Sequence, residues 1–181
     1  LIHFITYCSI LIGQKIVKMN GTYDLDGDNM LEFVALELNP DKDIFPKLVR
    51  YYEIDADGYQ TIMWEFIPPV ALEGDFVDAK VGDVNGDGVP ELVVVMNLTR
   101  FGDNNSPHVF IATYDWDGTH FSEIPSASLD IGKENKSLRC NNFQLLDQDA
   151  DGEQEIVLSL GSPFRGFAIV GSSPSGLSIV K

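Results

Sequence analysis

Asp24-Leu25-Asp26-Gly27-Asp28-Asn29-Met30-Leu31-Glu32 is the first of three acidic stretches on which the reading of this chain turns. Asp83-Val84-Asn85-Gly86-Asp87-Gly88-Val89-Pro90-Glu91 is the second, and Asp147-Gln148-Asp149-Ala150-Asp151-Gly152-Glu153-Gln154-Glu155 is the third. Their first residues lie 59 and 64 positions apart (24 to 83, then 83 to 147). Self-similarity at a near-constant period marks a repeat architecture. Each stretch runs into a short, mostly apolar run: Phe33-Val34-Ala35-Leu36, Leu92-Val93-Val94-Val95, and Ile156-Val157-Leu158. Runs this short and rich in β-branched residues read as strands.

A second motif follows each acidic stretch. It is Tyr51-Tyr52-Glu53-Ile54-Asp55-Ala56-Asp57-Gly58 in the first copy and Ala112-Thr113-Tyr114-Asp115-Trp116-Asp117-Gly118 in the second. The third copy, Gly171-Ser172-Ser173-Pro174-Ser175-Gly176, is looser and arrives early. Asp-Gly between apolar runs signals a hairpin. Each repeat therefore reads strand, acidic loop, strand, connector, strand, hairpin, strand. Four antiparallel strands in about 60 residues make one propeller blade. The expectation is an all-β chain of β-propeller-type blades, over 14–72, 73–132 and 133–181. No segment shows a helical period.

The acidic loops have the chemistry of a hard-cation site. Side-chain oxygens fall at positions 1, 3, 5 and 9: Asp24, Asp26, Asp28 and Glu32; Asp83, Asn85, Asp87 and Glu91; Asp147, Asp149, Asp151 and Glu155. Position 7 offers a backbone carbonyl at Met30, Val89 and Glu153. Ca²⁺ takes six to eight oxygens, and alternating short Asp/Asn side chains supply them from a tight loop. Position 6 needs a positive φ, which Gly88 and Gly152 adopt freely and Asn29 tolerates next best. An EF-hand would place a bidentate Glu at position 12, where this chain has Ala35, Val94 and Leu158. Three Ca²⁺ ions are therefore expected. Without them, carboxylates about 4 Å apart repel by roughly 1 kcal/mol in water and about 4 at a surface-like dielectric.

The three loops resemble the FG-GAP/VCBS family, the calcium-loop blades of integrin α-subunit propellers and of many secreted bacterial proteins. The resemblance covers about residues 14–181. The loops at Asp83 and Asp147 meet its pattern D-x-[DN]-x-D-G-x-x-[DE], and the loop at Asp24 departs from it at Asn29. The resemblance implies a blade with its metal loop between the first and second strands, and partners on the opposite face.

Composition agrees with such a reading. The chain has 181 residues, is 44% hydrophobic, and carries 28 acids against 12 bases for a net charge of −16. That charge argues against a nucleic acid or an anionic membrane surface as partner. Residues 1–13 are mostly apolar but too few to span a bilayer. They read as a strand or as the remainder of a leader. Two cysteines, Cys8 and Cys140, make no disulfide scaffold. Asn20, Asn97, Asn104 and Asn135 each begin an N-x-[ST] sequon, which such Asn- and Ser-rich loops also produce by chance.

Catalysis finds no support: His3, His108 and His120 have no ligand spacing, and no nucleophile or phosphate-loop motif occurs. The connectors 39–46, 100–107 and 161–166 each hold a Phe and a Pro. Each Phe packs beneath its loop or faces a partner. Trp64 and Trp116 read as blade packing rather than a sugar platform. The expected function is that of a calcium-stabilised extracellular or cell-surface repeat protein, structural or adhesive and not an enzyme. Three blades are too few to close a ring. The chain should therefore self-associate as a homo-oligomer or filament, or be part of a larger propeller, leaving two apolar blade faces to cover. The alternatives are a glycan-binding module of a secreted enzyme, or a calcium-assisted polysaccharide lyase.

Overall fold

In the computed structural model the described residues are 16–38, 47–67, 74–98, 108–132, 138–161 and 165–180. The leading segment 1–13, Cys8 and the connectors 39–46 and 100–107 fall outside them, as does the Phe164 of the third connector.

All regular structure among the described residues is β. Strands β1 (Ile16–Tyr23), β2 (Leu31–Leu38), β3 (Lys47–Ile54) and β4 (Gln60–Phe66) form one antiparallel meander. A second comprises β5 (Gly74–Gly82), β6 (Glu91–Leu98), β7 (His108–Tyr114) and β8 (Ala127–Ile131). The third comprises β9 (Cys140–Leu146), β10 (Glu155–Leu160), β11 (Gly166–Gly171) and the two-residue β12 (Ser178–Ile179). Each sheet keeps its strands in chain order. The acidic stretches connect first to second strand in all three, and the Asp-Gly hairpin at Asp55–Gly58 joins β3 to β4. The three sheets are propeller-type blades.

The blades stack face to face and approach most closely at their first strands, β5 against β1 and β2, and β9 against β5. Successive strand residues point to opposite faces, so β6 sends Leu92, Val94 and Met96 toward the first blade and Val93 and Val95 toward the third. All five are fully buried. Buried on both faces, β6 is accordingly apolar throughout its first six positions save Glu91. The first seam adds Val34, Leu36, Tyr51, Trp64, Phe66, Tyr114 and Phe121. The second adds Val109, Ile111, Phe143, Ile156, Leu158 and Val170. Trp64 lies flat on Phe66, with ring centroids 5.9 Å apart, and meets Phe121 edge-on at 6.0 Å. Trp116 lies 5.0 Å from Phe121. Both tryptophans thus serve blade packing.

First strands carry further contacts between blades. Asn20 Nδ2 donates to Ala79 O at 2.7 Å and to Asp78 Oδ1 at 2.6 Å. Lys18 Nζ lies 3.3 Å from Asp78 Oδ2. Across the second seam, Asn97 Nδ2 donates to Cys140 O at 2.9 Å and Cys140 N donates to Asn97 Oδ1 at 2.8 Å. One amide side chain here takes the place of a strand. Cys140 is a free, buried thiol whose pKa burial pushes up to about 11.

Of the two end faces, the first departs from the expectation of a wet apolar surface and the third does not. On the first blade Phe33, Ala35 and Tyr52 are buried, with Phe33 stacked on Tyr52 at 4.9 Å. The same blade buries Glu37, which accepts hydrogen bonds from Arg50 at 2.9 Å and from the Tyr52 hydroxyl. A charge pair inside this face means that it is not simply apolar. The outer side of the third blade is exposed at Leu146 and Phe167.

Candidate metal centre

Each loop is built by its own acids before any ion enters. Position 3 accepts the N–H of position 5: Asp28 to Asp26 at 3.1 Å, Asp87 to Asn85 at 2.9 Å, and Asp151 to Asp149 at 3.3 Å. Position 5 accepts the N–H of position 7: Met30 to Asp28 at 2.7 Å, Val89 to Asp87 at 2.8 Å, and Glu153 to Asp151 at 2.8 Å. These are Asx turns, the local bonds that let Asp and Asn replace regular backbone pairing. They orient the peptide at position 7, whose carbonyl the sequence offers as a ligand. Position 1 accepts the N–H of position 6, Gly88 to Asp83 at 2.9 Å and Gly152 to Asp147 at 3.2 Å.

Position 6 has the backbone its residues predict: φ is 67° at Asn29, 84° at Gly88 and 98° at Gly152. Position 4 is also left-handed, at Gly27, Gly86 and, without the freedom of glycine, Ala150 at 63°.

Carboxylate oxygens converge in every loop. One oxygen from each of Asp24, Asp26, Asp28 and Glu32 lies within 4.8 Å of the others. The same holds for Asp83, Asp87 and Glu91, and for Asp147, Asp149 and Asp151. Asn85 sits in the second cluster through its amide, which donates to Asp87 Oδ2 at 3.2 Å. Glu155 does not join the third group.

The glutamate at position 9 has a structural task that spacing alone did not reveal. Its Oε2 accepts the N–H of position 2: Leu25 to Glu32 at 2.8 Å, Val84 to Glu91 at 2.9 Å, and Gln148 to Glu155 at 2.9 Å. Glu32 and Glu91 are buried at 1% and 3% exposure. Burial raises the Glu32 pKa, and Asp26, Asp24 and Asp28 push it the same way. Glu91 is pushed up to about 7, mainly by burial and then by Asp87, Asp83 and Asp115.

Two further carboxylates were invisible to the loop pattern. Glu53 stands directly across the ladder from Glu32. Asp115 follows the Tyr114–Leu92 pair and so flanks Glu91. Like charges placed opposite each other destabilise a sheet. Burial raises the Glu53 pKa, as do Asp28 and Asp26 of the loop. The register pairs Ile156 with Val170, so the third blade has Gly171 in the corresponding place.

The donor set fits a hard divalent cation. Glu32 Oε1 is buried with no hydrogen-bond partner among the described residues. An ionised oxygen in that position is costly unless something positive meets it. In the first two loops, the residues that would hold the ion are those at positions 1, 3, 5 and 9, with the carbonyl of position 7; in the third they are Asp147, Asp149 and Asp151 with the carbonyl of Glu153, and Glu155 stays outside the group.

Residues 24–94 match the FG-GAP-like repeat. The match runs from the first loop through the second and into β6, and agrees with the resemblance read from the loops. No curated protein matches the chain significantly.

Proposed function

We propose that the chain is a calcium-stabilised β-propeller repeat module of an extracellular or cell-surface protein, with a structural or adhesive and non-catalytic role. The orphaned Glu32 oxygen, set among three aspartates and opposite Glu53, carries the calcium reading. Oxygen-only donors select Ca²⁺ over softer metals. Extracellular calcium modules bind at about 10⁻⁴–10⁻³ M, a range that cytosolic calcium does not fill. The exposed third-blade face, with Phe167 and Leu146, favours association with a further blade, from a second copy or a larger propeller. No helix long and apolar enough to cross a membrane occurs among the described residues.

Calorimetric melting tests the reading. Each site held at a hundred times its dissociation constant adds about 2.7 kcal/mol. EDTA should lower the melting temperature substantially, and Asp87→Ala should weaken the second site. Identical melting curves in EDTA and in millimolar Ca²⁺ would reject calcium.

A further inference from the structure

The second and third loops touch, and the first and second do not make the same contact. Gln154, at position 8 of the third loop, donates its backbone N–H to Asp83 O at 2.9 Å. Asp83 is position 1 of the second loop, and its carboxylate holds the amides of Gly86 and Gly88 at 2.8 and 2.9 Å. The Gln154 side chain lies against Gly82. The Glu153 side chain lies against Gly86, so closely that a Cβ there would sit 2.5 Å from Glu153 Cγ and 2.7 Å from its Oε1. Glycine at 82 and 86 is what lets the two loops close on each other.

Position 8 of the second loop is Pro90, which has no N–H to donate toward the first loop. Position 7 there is Val89 in place of Glu153. Gly27, the first-loop counterpart of Gly86, has open space where a side chain would point.

We propose that the second and third loops form one linked cation-binding unit, joined by Glu153 and Gln154, while the first loop binds independently. The proposal rests on the calcium reading above. An ion in the second loop fixes Asp83 and with it the acceptor for Gln154, so part of the third loop is ordered in advance. It also offsets the charge of Glu153, whose carboxylate otherwise adds to the negative field of both loops. Both effects make one ion favour the other, and linkage requires that the gain be reciprocal.

Amide NMR during calcium titration of the full chain resolves the sites, with Gly27, Gly88 and Gly152 as reporters. Asp87→Asn keeps the side-chain shape while weakening the second loop. It should raise the calcium midpoint at Gly152 about fivefold or more, with Gly27 unmoved. Asp28→Asn, the same change in the first loop, should leave Gly88 and Gly152 where they were. Glu153→Val with Gln154→Pro writes the Val89-Pro90 sequence into the third loop, so the backbone accepts it. In that background Asp87→Asn should no longer move Gly152. A Gly152 midpoint indifferent to Asp87→Asn, equally sensitive to Asp28→Asn, or still responsive in the double variant overturns the linkage. Amides that ignore millimolar calcium altogether remove the calcium reading, and the linkage with it.

Discussion

The two seams between blades solve the same packing problem with different chemistry. The first is aromatic: Tyr51, Trp64, Phe66, Phe76, Tyr114, Trp116 and Phe121 meet there. Its polar contacts are largely ionic, with Lys18 near Asp78 and Lys47 3.0 Å from Asp75. The second is mostly aliphatic, and its polar contacts between blades include neutral ones, Asn97 with Cys140 and Gln154 with Asp83. Large rings fill volume without requiring matched backbones. Small branched side chains bring the sheets together where amides can pair across the gap. The difference shows that a repeat can keep its blade and exchange the adhesive between blades.

Phe121→Ala should produce the largest change of any single substitution. The ring is fully buried and touches Tyr51, Trp64 and Trp116. A cavity of that kind costs about 3–5 kcal/mol. Urea unfolding followed by circular dichroism gives the value, and a loss under 1 kcal/mol would mean that the first seam does not depend on its aromatic centre.

A pH series comes next and probes the loop between the seams. In metal-free protein the folded-state pKa of Glu91 stands at about 7, above an unfolded value of about 4.3. The proton is held more tightly in the folded state. Its contribution is fully present below the unfolded value and is lost as pH rises through the folded one. Metal-free protein should therefore melt at a lower temperature at pH 8 than at pH 5, and Glu91→Gln should flatten the slope. A metal-free melting temperature that climbs over that range contradicts the assignment.

Asn97→Ala sharpens the contrast from the second seam. It leaves the Cys140 N–H and carbonyl without their partner, and unmade buried bonds cost about 1–3 kcal/mol each. The loss should be insensitive to salt, whereas Lys18→Met at the first seam should cost less as ionic strength rises. Equal salt responses would erase the distinction between the seams.

Ala150→Gly is the smallest and the only gain. Ala150 holds a left-handed backbone that costs an L residue roughly 1–2 kcal/mol. Glycine should recover about 1 kcal/mol, less the chain entropy it adds to the unfolded state. A destabilised variant would show that the φ of Ala150 is not a source of strain.

The blade order and the loops were legible in sequence because both are local. Ligand spacing, the Asx turns and the backbone of Asn29 depend on neighbours within nine residues. What escaped is set by pairing across strands or blades. Glu53 becomes part of the first site only through its register with Glu32, which depends on a connector of no fixed length. The contact of Gln154 with Asp83 spans 71 residues of chain, reading 83 to 154, and no local pattern announces it. Asn97, singled out only as a sequon, turned out to bridge two blades.

Both tryptophans of the chain lie in the first seam and none lies in the second. Intrinsic fluorescence is therefore blind to one half of the stack. If the third blade peels away while the first two hold, the emission maximum stays blue and the quantum yield scarcely moves, although the far-ultraviolet signal of one sheet is gone. Non-coincident unfolding curves from the two spectroscopies would then date the departure of the third blade without any label being attached.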